Sequence, residues 1–246
     1  VLKYGIPEFR LPNEIVEHEV QALSRRGVKF VKDCIVGKTV SIDSLRQEGY
    51  EGIFVASGAG LPNFMGIPGE NAVGVMSSNE YLTRVNLMDA SNPSSDTPVP
   101  MAKRVAVVGG GNTAMDSVRT ALRLGAETAT IIYRRSEAEM PARLEEVRHA
   151  KEEGVKFLTL HNPLEYIADE NGRVKRIKLQ KMELGEPDAS GRRRPGPIGG
   201  GSEIIDADLV VVSIGVSPNP IVPTSVEGLE LGRKGTIAVD DNMQSS

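Results

Sequence analysis

Apolar residues in this chain fall into two alternating kinds of segment, short unbroken runs and runs at helical spacing. Residues 105–108, Val-Ala-Val-Val, form an unbroken β-type run that ends in Gly109, Gly110 and Gly111. Ala114, Met115, Val118, Ala121 and Leu122 then recur at the 3.6-residue period until Gly125 interrupts them. Residues 130–133 predict a second strand. Pro141 suits the first turn of a further helix, with Ala142, Leu144, Val147 and Ala150 on its inner face and Gly154 as its stop. Residues 155–160 predict a third strand, which completes a βαβαβ unit and an α/β fold built on a parallel sheet.

The flanks are less regular. Residues 13–26 read as a helix, with Asn13 as N-cap, Ile15, Val16, Val20 and Leu23 on one face and Gly27 as the stop. A strand is expected at 28–31, a short helix at 41–47, and a buried strand at 51–56 that runs into Gly58. Ser77 and Glu80 form a capping box for a helix through Leu87. Residues 89–101 have a linker's composition. Further on, β-like runs at 163–169 and 173–183 flank Asn171-Gly172, a strong hairpin signal. Residues 185–201 are read as a mobile, solvated hairpin loop, with an anion patch around Arg192-Arg-Arg194 as the alternative. Residues 207–214 predict another buried strand, which ends in Gly215, and 236–239 a last β-like run. The strand-then-glycine endings at Gly58 and Gly215 are similar, which suggests that the chain crosses between domains there.

The central unit carries recognisable chemistry. Gly109-x-Gly111-x-x-Ala114 lies between strand and helix, as a dinucleotide fingerprint requires. Gly109 permits the tight turn, Gly111 lets a pyrophosphate approach the backbone, and Ala114 allows close packing of helix on strand. Gly110, Asn112 and Thr113 are expected to face the same phosphates, at the positive end of the helix. An NAD site places an acid about 20 residues beyond this turn to hold the ribose hydroxyls. Arg134 and Arg135 stand there instead, which suits a 2′-phosphate and predicts NADP(H). Arg143, expected one turn into the next helix, either joins them or is solvated. Asp116 needs no role beyond stabilising the helix dipole.

Composition narrows the class. A net charge of −4 argues against a general nucleic-acid binder or a basic membrane-surface protein. No long uncharged apolar run or signal-peptide pattern occurs, so a cytoplasmic protein without membrane attachment is expected. Cys34 is the only cysteine and is read as a structural thiol at a strand end. His18, His149 and His161 show no ligand spacing, and no metal site or nucleophile–base pair is found, so no catalytic residue is assigned.

The chain resembles the small (beta) subunit family of NADPH-dependent glutamate synthase. The matching segments include Tyr4-Gly-Ile-Pro-Glu-Phe-Arg-Leu-Pro12, Asn63-Phe-Met-Gly-Ile-Pro-Gly-Glu70, Gly109-Gly-Gly-Asn-Thr-Ala-Met-Asp116, Tyr133-Arg-Arg-Ser136, Glu139-Met-Pro-Ala142 and Gly215-Val-Ser-Pro-Asn-Pro220. It is also similar to the flavin–NADPH portions of dihydropyrimidine dehydrogenase and ferredoxin:NADP oxidoreductases. The resemblance implies a Rossmann-like NADPH-binding domain at 99–221, inserted into an FAD-binding domain made of 1–98 and a return segment, 222–246. Gly58 and Gly215 are included among its cofactor-binding positions. It implies hydride transfer from NADPH to FAD, then export through iron–sulfur centres to a glutamate synthase large subunit. A pyrimidine or ferredoxin:NADP reductase, or a nucleotide-binding sensor or assembly subunit, are the alternatives. The family's first Gly-rich flavin fingerprint and its cysteine-rich region have no counterpart here. The expectation is therefore a fragment of a flavoprotein that binds NADPH, purifies without flavin and does not turn over alone.

Overall fold

The computed structural model describes residues 1–246 except Pro93, Pro100 and Ser190, so parts of the linker-like and hairpin-loop segments lie outside the described residues. In chain order the elements are α1 (Asn13–Arg25), α2 (Ile42–Gln47), β1 (Ala59–Pro62), β2 (Val75–Ser77), α3 (Ser78–Leu87), β3 (Arg104–Val108), α4 (Asn112–Arg123), β4 (Thr128–Tyr133), α5 (Leu144–Glu152), β5 (Lys156–Thr159), β6 (His161–Ala168), β7 (Val174–Pro187), β8 (Arg193–Asp206), β9 (Leu209–Val212), β10 (Val216–Pro218) and α6 (Ile221–Ser225). They form two compact units, one of residues 1–16 and 62–214, the other of residues 17–61 and 215–246.

The larger unit has three layers. Its centre is a parallel sheet in the order β2-β9-β3-β4-β5. Strand side chains alternate between faces. Val105 and Val107 therefore pack with Ala114, Met115 and Val118 of α4, while Ala106 and Val108 pack with Tyr166, Ile177 and Leu179 of the antiparallel sheet β6-β7-β8. Helices cover one face of the parallel sheet and a β-meander covers the other. The predicted βαβαβ unit is β3-α4-β4-α5-β5.

Several details differ from the sequence reading. Pro141 and Ala142 precede α5, and Leu144 is 87% exposed, because a 3-10 turn at Glu137–Glu139 takes up the chain before the helix begins. The expected loop at 185–201 is mostly strand, because Met182, Glu183 and Leu184 pair with Pro197, Gly196 and Pro195. Helix α3 has its N-cap, with Ser77 Oγ accepting the Glu80 N–H at 3.1 Å. Asn13 does not cap α1; its Oδ1 is buried without a partner among the described residues, and its N–H donates to Glu8 Oε2 instead. The short helix α2 is closed at its start by a reciprocal Ser41–Ser44 capping box.

The first boundary between the packed units falls at 61/62. Strand β2 pairs with β9 and α3 joins the core of the larger unit, so 62–98 belongs there by packing. The second unit boundary lies at 214/215. In the smaller unit β1 pairs with β10, which places Gly58 and Gly215 just ahead of two neighbouring strands. The strands expected at 28–31, 51–56 and 236–239 do not form; only an isolated bridge joins Leu231 to Ile237. A strand needs a ladder partner as well as an apolar run, and no described edge pairs with these segments. Phe54 is accordingly 89% exposed. Cys34 is half-buried, unpaired and outside any strand.

A double clamp closes the N-terminal ends of β3 and β9. The Asp208 carboxylate accepts from the Arg104 N–H at 3.1 Å and from Arg104 Nε and Nη2 at 3.1 and 2.9 Å, and the Asp208 N–H donates to the Arg104 carbonyl at 2.8 Å. The Arg104 guanidinium holds the Asp208 carboxyl below the usual carboxylate range. A depressed folded-state value means that this contribution is present above the unfolded value, about 3.9, and is lost as pH falls through the folded one. Asp208→Asn should therefore melt below the wild type at pH 7, and the two melting curves should converge as pH falls below about 4. A gap that is unchanged at pH 3 would rule out this linkage.

Candidate functional site

The site lies at the C-terminal ends of β3 and β4, where a parallel sheet usually binds ligands. Strand β3 runs into Gly109, whose φ of +141° an L side chain rarely adopts. A Cβ there would overlap the Ser213 carbonyl, because the chain leaving β9 crosses directly against the turn. At Gly110 a Cβ would come 2.8 Å from the Tyr133 ring. At Gly111 only Pro141 Cγ lies within reach, at 4.0 Å, so the backbone there is open to a ligand. The first two glycines thus serve packing, and the third serves access. Ala114 is fully buried against the sheet.

The N–H groups of Gly110, Gly111, Asn112 and Thr113 find no acceptor among the described residues. They crowd at the positive end of α4, so the residues present fit an anionic pyrophosphate. The Asn112 side chain also braces the turn. Its Oδ1 accepts the Arg143 N–H at 2.9 Å, and the Ala142 N–H donates to the Gly110 carbonyl at 3.1 Å. Together these bonds fix the segment ahead of α5 beside the glycine turn. Arg143 is the N-cap position of α5 rather than one turn inside it, and its exposed side chain makes no ion pair among the described residues.

The two arginines after β4 differ sharply. Arg134 is exposed and its side chain has no partner among the described residues. Arg135 is only 6% exposed; its Nη2 pairs with Asp188 Oδ2 at 2.7 Å and its Nε donates to the Arg193 carbonyl at 2.7 Å. Arg193 in turn pairs with Glu139 at 2.7 Å, and Glu139 also accepts a short bond from Ser136. These contacts hold the Glu139 carboxyl below its usual range, with the Ser136 bond as the largest cause. The Tyr133 hydroxyl donates to the Glu139 carbonyl at 2.9 Å, so the whole 133–139 loop is tied to the tip of the β7–β8 hairpin.

A further cluster escaped the sequence reading. Arg10 Nη1 lies 2.7 Å from both carboxylate oxygens of Asp116, and Arg10 Nε lies 3.1 Å from Glu146. Arg119 bonds Glu146 and Glu153, and the Phe9 ring lies under the guanidiniums of Arg119 and Arg123, at 4.7 and 4.1 Å. Asp116, 4% exposed, is therefore a buried acid paired with Arg10, which it shares with Glu146, and not just a helix-dipole residue. Burial pushes its carboxyl above the usual range, and Arg10 opposes that rise. Only the motif at 4–12 hinted at this contact. The segment 63–70 is likewise structural: Glu70 accepts the N–H groups of Met65, Gly66 and Ile67. Gly58 and Gly215 have φ of +66° and +104° and lie in the smaller unit. No metal-ligating cluster of His, Cys, Asp or Glu occurs among the described residues, and no described helix is long and apolar enough to cross a membrane.

The chain is similar to several known proteins. A putative glutamate synthase [NADPH] small chain from Cereibacter sphaeroides is 40% identical over 243 residues, which cover 98% of this chain and 58% of the relative. The beta subunit of an NADP(+)-dependent formate dehydrogenase from Moorella thermoacetica is 41% identical over 98% of this chain and 33% of its own length. The chain therefore spans between a third and three-fifths of these relatives. The fold is similar to that of Mycobacterium tuberculosis FprA in complex with NADPH, with a TM-score of 0.75, 20% identity, and coverage of 96% of this chain and 64% of that one. The profile of the pyridine nucleotide-disulphide oxidoreductases matches residues 3–246, and the chain belongs to that family.

Proposed function

We propose that this chain is the pyridine-nucleotide-binding part of an NADPH-dependent flavoprotein oxidoreductase of the glutamate synthase small-subunit type. The observation that carries the reading is the row of unpaired N–H groups at 110–113, with the free Arg134 at the end of the neighbouring strand. The N–H groups would hold the pyrophosphate and Arg134 the 2′-phosphate, with Arg143 close to the same turn through its bond to Asn112. One pyrophosphate turn serves one dinucleotide, and we assign this one to NADPH. The nucleotide would supply a hydride, and the residues described here bind and orient it rather than react with it.

For the whole protein, the reading is passage of electrons from NADPH through FAD and iron–sulfur centres to a separate acceptor; the glutamate synthase [NADPH] small-chain relative supports its NADPH end. A glutamate synthase large subunit is the first choice. The match to a formate dehydrogenase subunit favours a second reading, in which the same nucleotide module serves a different redox partner. On either reading the cofactor domains are proposed at 1–98 with 222–246 for FAD and 99–221 for NADPH, a division by ligand that differs from the packing, in which 1–16 and 62–98 join the larger unit.

Titration calorimetry with NADP+ and NAD+ tests the nucleotide assignment. One charge-assisted guanidinium–phosphate interaction contributes on the order of 1.5–3 kcal/mol, so the wild type should prefer NADP+ by roughly tenfold or more. Arg134→Ala should remove most of that preference and leave NAD+ affinity within about twofold. Equal affinity of the wild type for both nucleotides would reject the assignment.

A further inference from the structure

We propose that the tip of the β7–β8 hairpin sets how strongly this site selects for a 2′-phosphate, with Asp188 as the internal counter-ion that the phosphate must displace from Arg135. This rests on the NADP(H) reading above and adds a residue to it that no fingerprint contains.

Strands β7 and β8 are the longest in the chain at 14 residues each, and they stay paired as far as Pro187 and Arg193. The turn between them is closed by the Asp188 N–H donating to the Arg192 carbonyl at 2.7 Å. That carries the tip to the loop after β4, where three contacts at 2.7 Å hold it: Asp188 to Arg135, the Arg193 carbonyl to Arg135, and Arg193 to Glu139. An NAD-type site has its acid near the end of the second strand of the fold. Here an acid reaches that position from 53 residues further along the chain and neutralises one of the two arginines.

The electrostatic consequence follows from charge and burial. With its guanidinium largely buried and its Nε and Nη2 bonded to the hairpin, Arg135 can give a phosphate a two-point grip only if Asp188 lets go. A 2′-phosphate that took Arg135 would also be repelled by the Asp188 carboxylate a few ångströms away. The hairpin therefore opposes part of the phosphate's attraction. Arg134, without such a counter-ion, carries the preference that remains. NAD+ has no charge at this position and does not experience the competition.

The test is Asp188→Asn, which keeps the shape and a carbonyl acceptor for Arg135 while removing the charge. Calorimetry on the 246-residue chain should show NADP+ binding roughly three- to tenfold tighter and NAD+ unchanged within about twofold. An unchanged or weaker NADP+ affinity would overturn the proposal. A second readout uses the trypsin sites after Arg192 and Arg193. Saturating NADP+ should speed cleavage of the wild type at the tip and NAD+ should not; equal rates with the two nucleotides would also overturn it. A wild type that discriminates between the nucleotides while Asp188→Asn changes nothing rejects this inference alone. A wild type that does not discriminate rejects the cofactor reading with it.

Discussion

Gly111→Ala is expected to lower NADP+ affinity more than about tenfold while leaving the fold intact, whereas Gly109→Ala is expected to damage the fold itself. The two glycines are separated by one residue and belong to one fingerprint, but their surroundings differ. At Gly111 the backbone has ordinary extended values, φ −92° and ψ 176°, and a Cβ would meet only Pro141 Cγ at 4.0 Å. Alanine is a poorer N-cap than glycine, so a loss of no more than about 1 kcal/mol of stability follows. The methyl group would, however, occupy the space through which a pyrophosphate reaches the N–H groups of the turn. At Gly109 the left-handed φ of +141° combines with overlap between a Cβ and the Ser213 carbonyl. Ser213 cannot retreat freely, because its own N–H donates to the Val108 carbonyl at 2.8 Å. Strained backbone and overpacking each cost about 1–3 kcal/mol, so a loss of roughly 3–5 kcal/mol is expected. Chemical denaturation and NADP+ titration of both variants check this. A Gly111→Ala protein with wild-type affinity would mean that the phosphates do not approach there.

The sequence was most legible where local rules and tertiary structure point the same way. The unit from β3 to β5 was readable because an apolar run, a glycine turn and a 3.6-residue period each demand the same layout. The Asn171-Gly172 hairpin and the Ser77 cap were readable for the same reason. Legibility failed where structure depends on a distant partner. Residues 28–31 and 51–56 have strand-like composition, but β structure exists only where another edge is present. Residues 185–201 look like a loop by composition, yet most of them pair as the outer parts of β7 and β8, beyond a register shift between Gln180 and Met182 that no local pattern announces. At the site, Arg134 and Arg135 are indistinguishable in sequence. Asp188 separates them, and nothing local to residues 134–135 announces its arrival.

The same limit hid the contact with the second largest expected effect. Arg10 and Asp116 are 106 residues apart, yet the guanidinium bridges both carboxylate oxygens at 2.7 Å. Arg10→Ala should destabilise the protein by about 2–4 kcal/mol. Breaking a fully buried pair costs about 3–5 kcal/mol, and the figure is reduced here because the Arg10 side chain is 19% exposed and solvent screens it in part. The cost comes mainly from leaving Asp116 charged and buried, not from losing an attraction. Two consequences separate this account from simple loss of packing. Arg10→Ala/Asp116→Asn should be more stable than Arg10→Ala alone, because the second change removes the stranded charge. The deficit of the single variant should also shrink on acidification. Burial already raises the Asp116 carboxyl, and without Arg10 it rises further. A folded-state value above the unfolded one means that the folded form takes up the proton first, so destabilisation present at neutral pH is relieved as pH falls through the raised value. Urea denaturation at pH 7 and pH 5 measures both effects. A deficit that does not change with pH, together with a double variant no better than the single one, would show that Arg10 acts only by packing Phe9 and its neighbours onto α4.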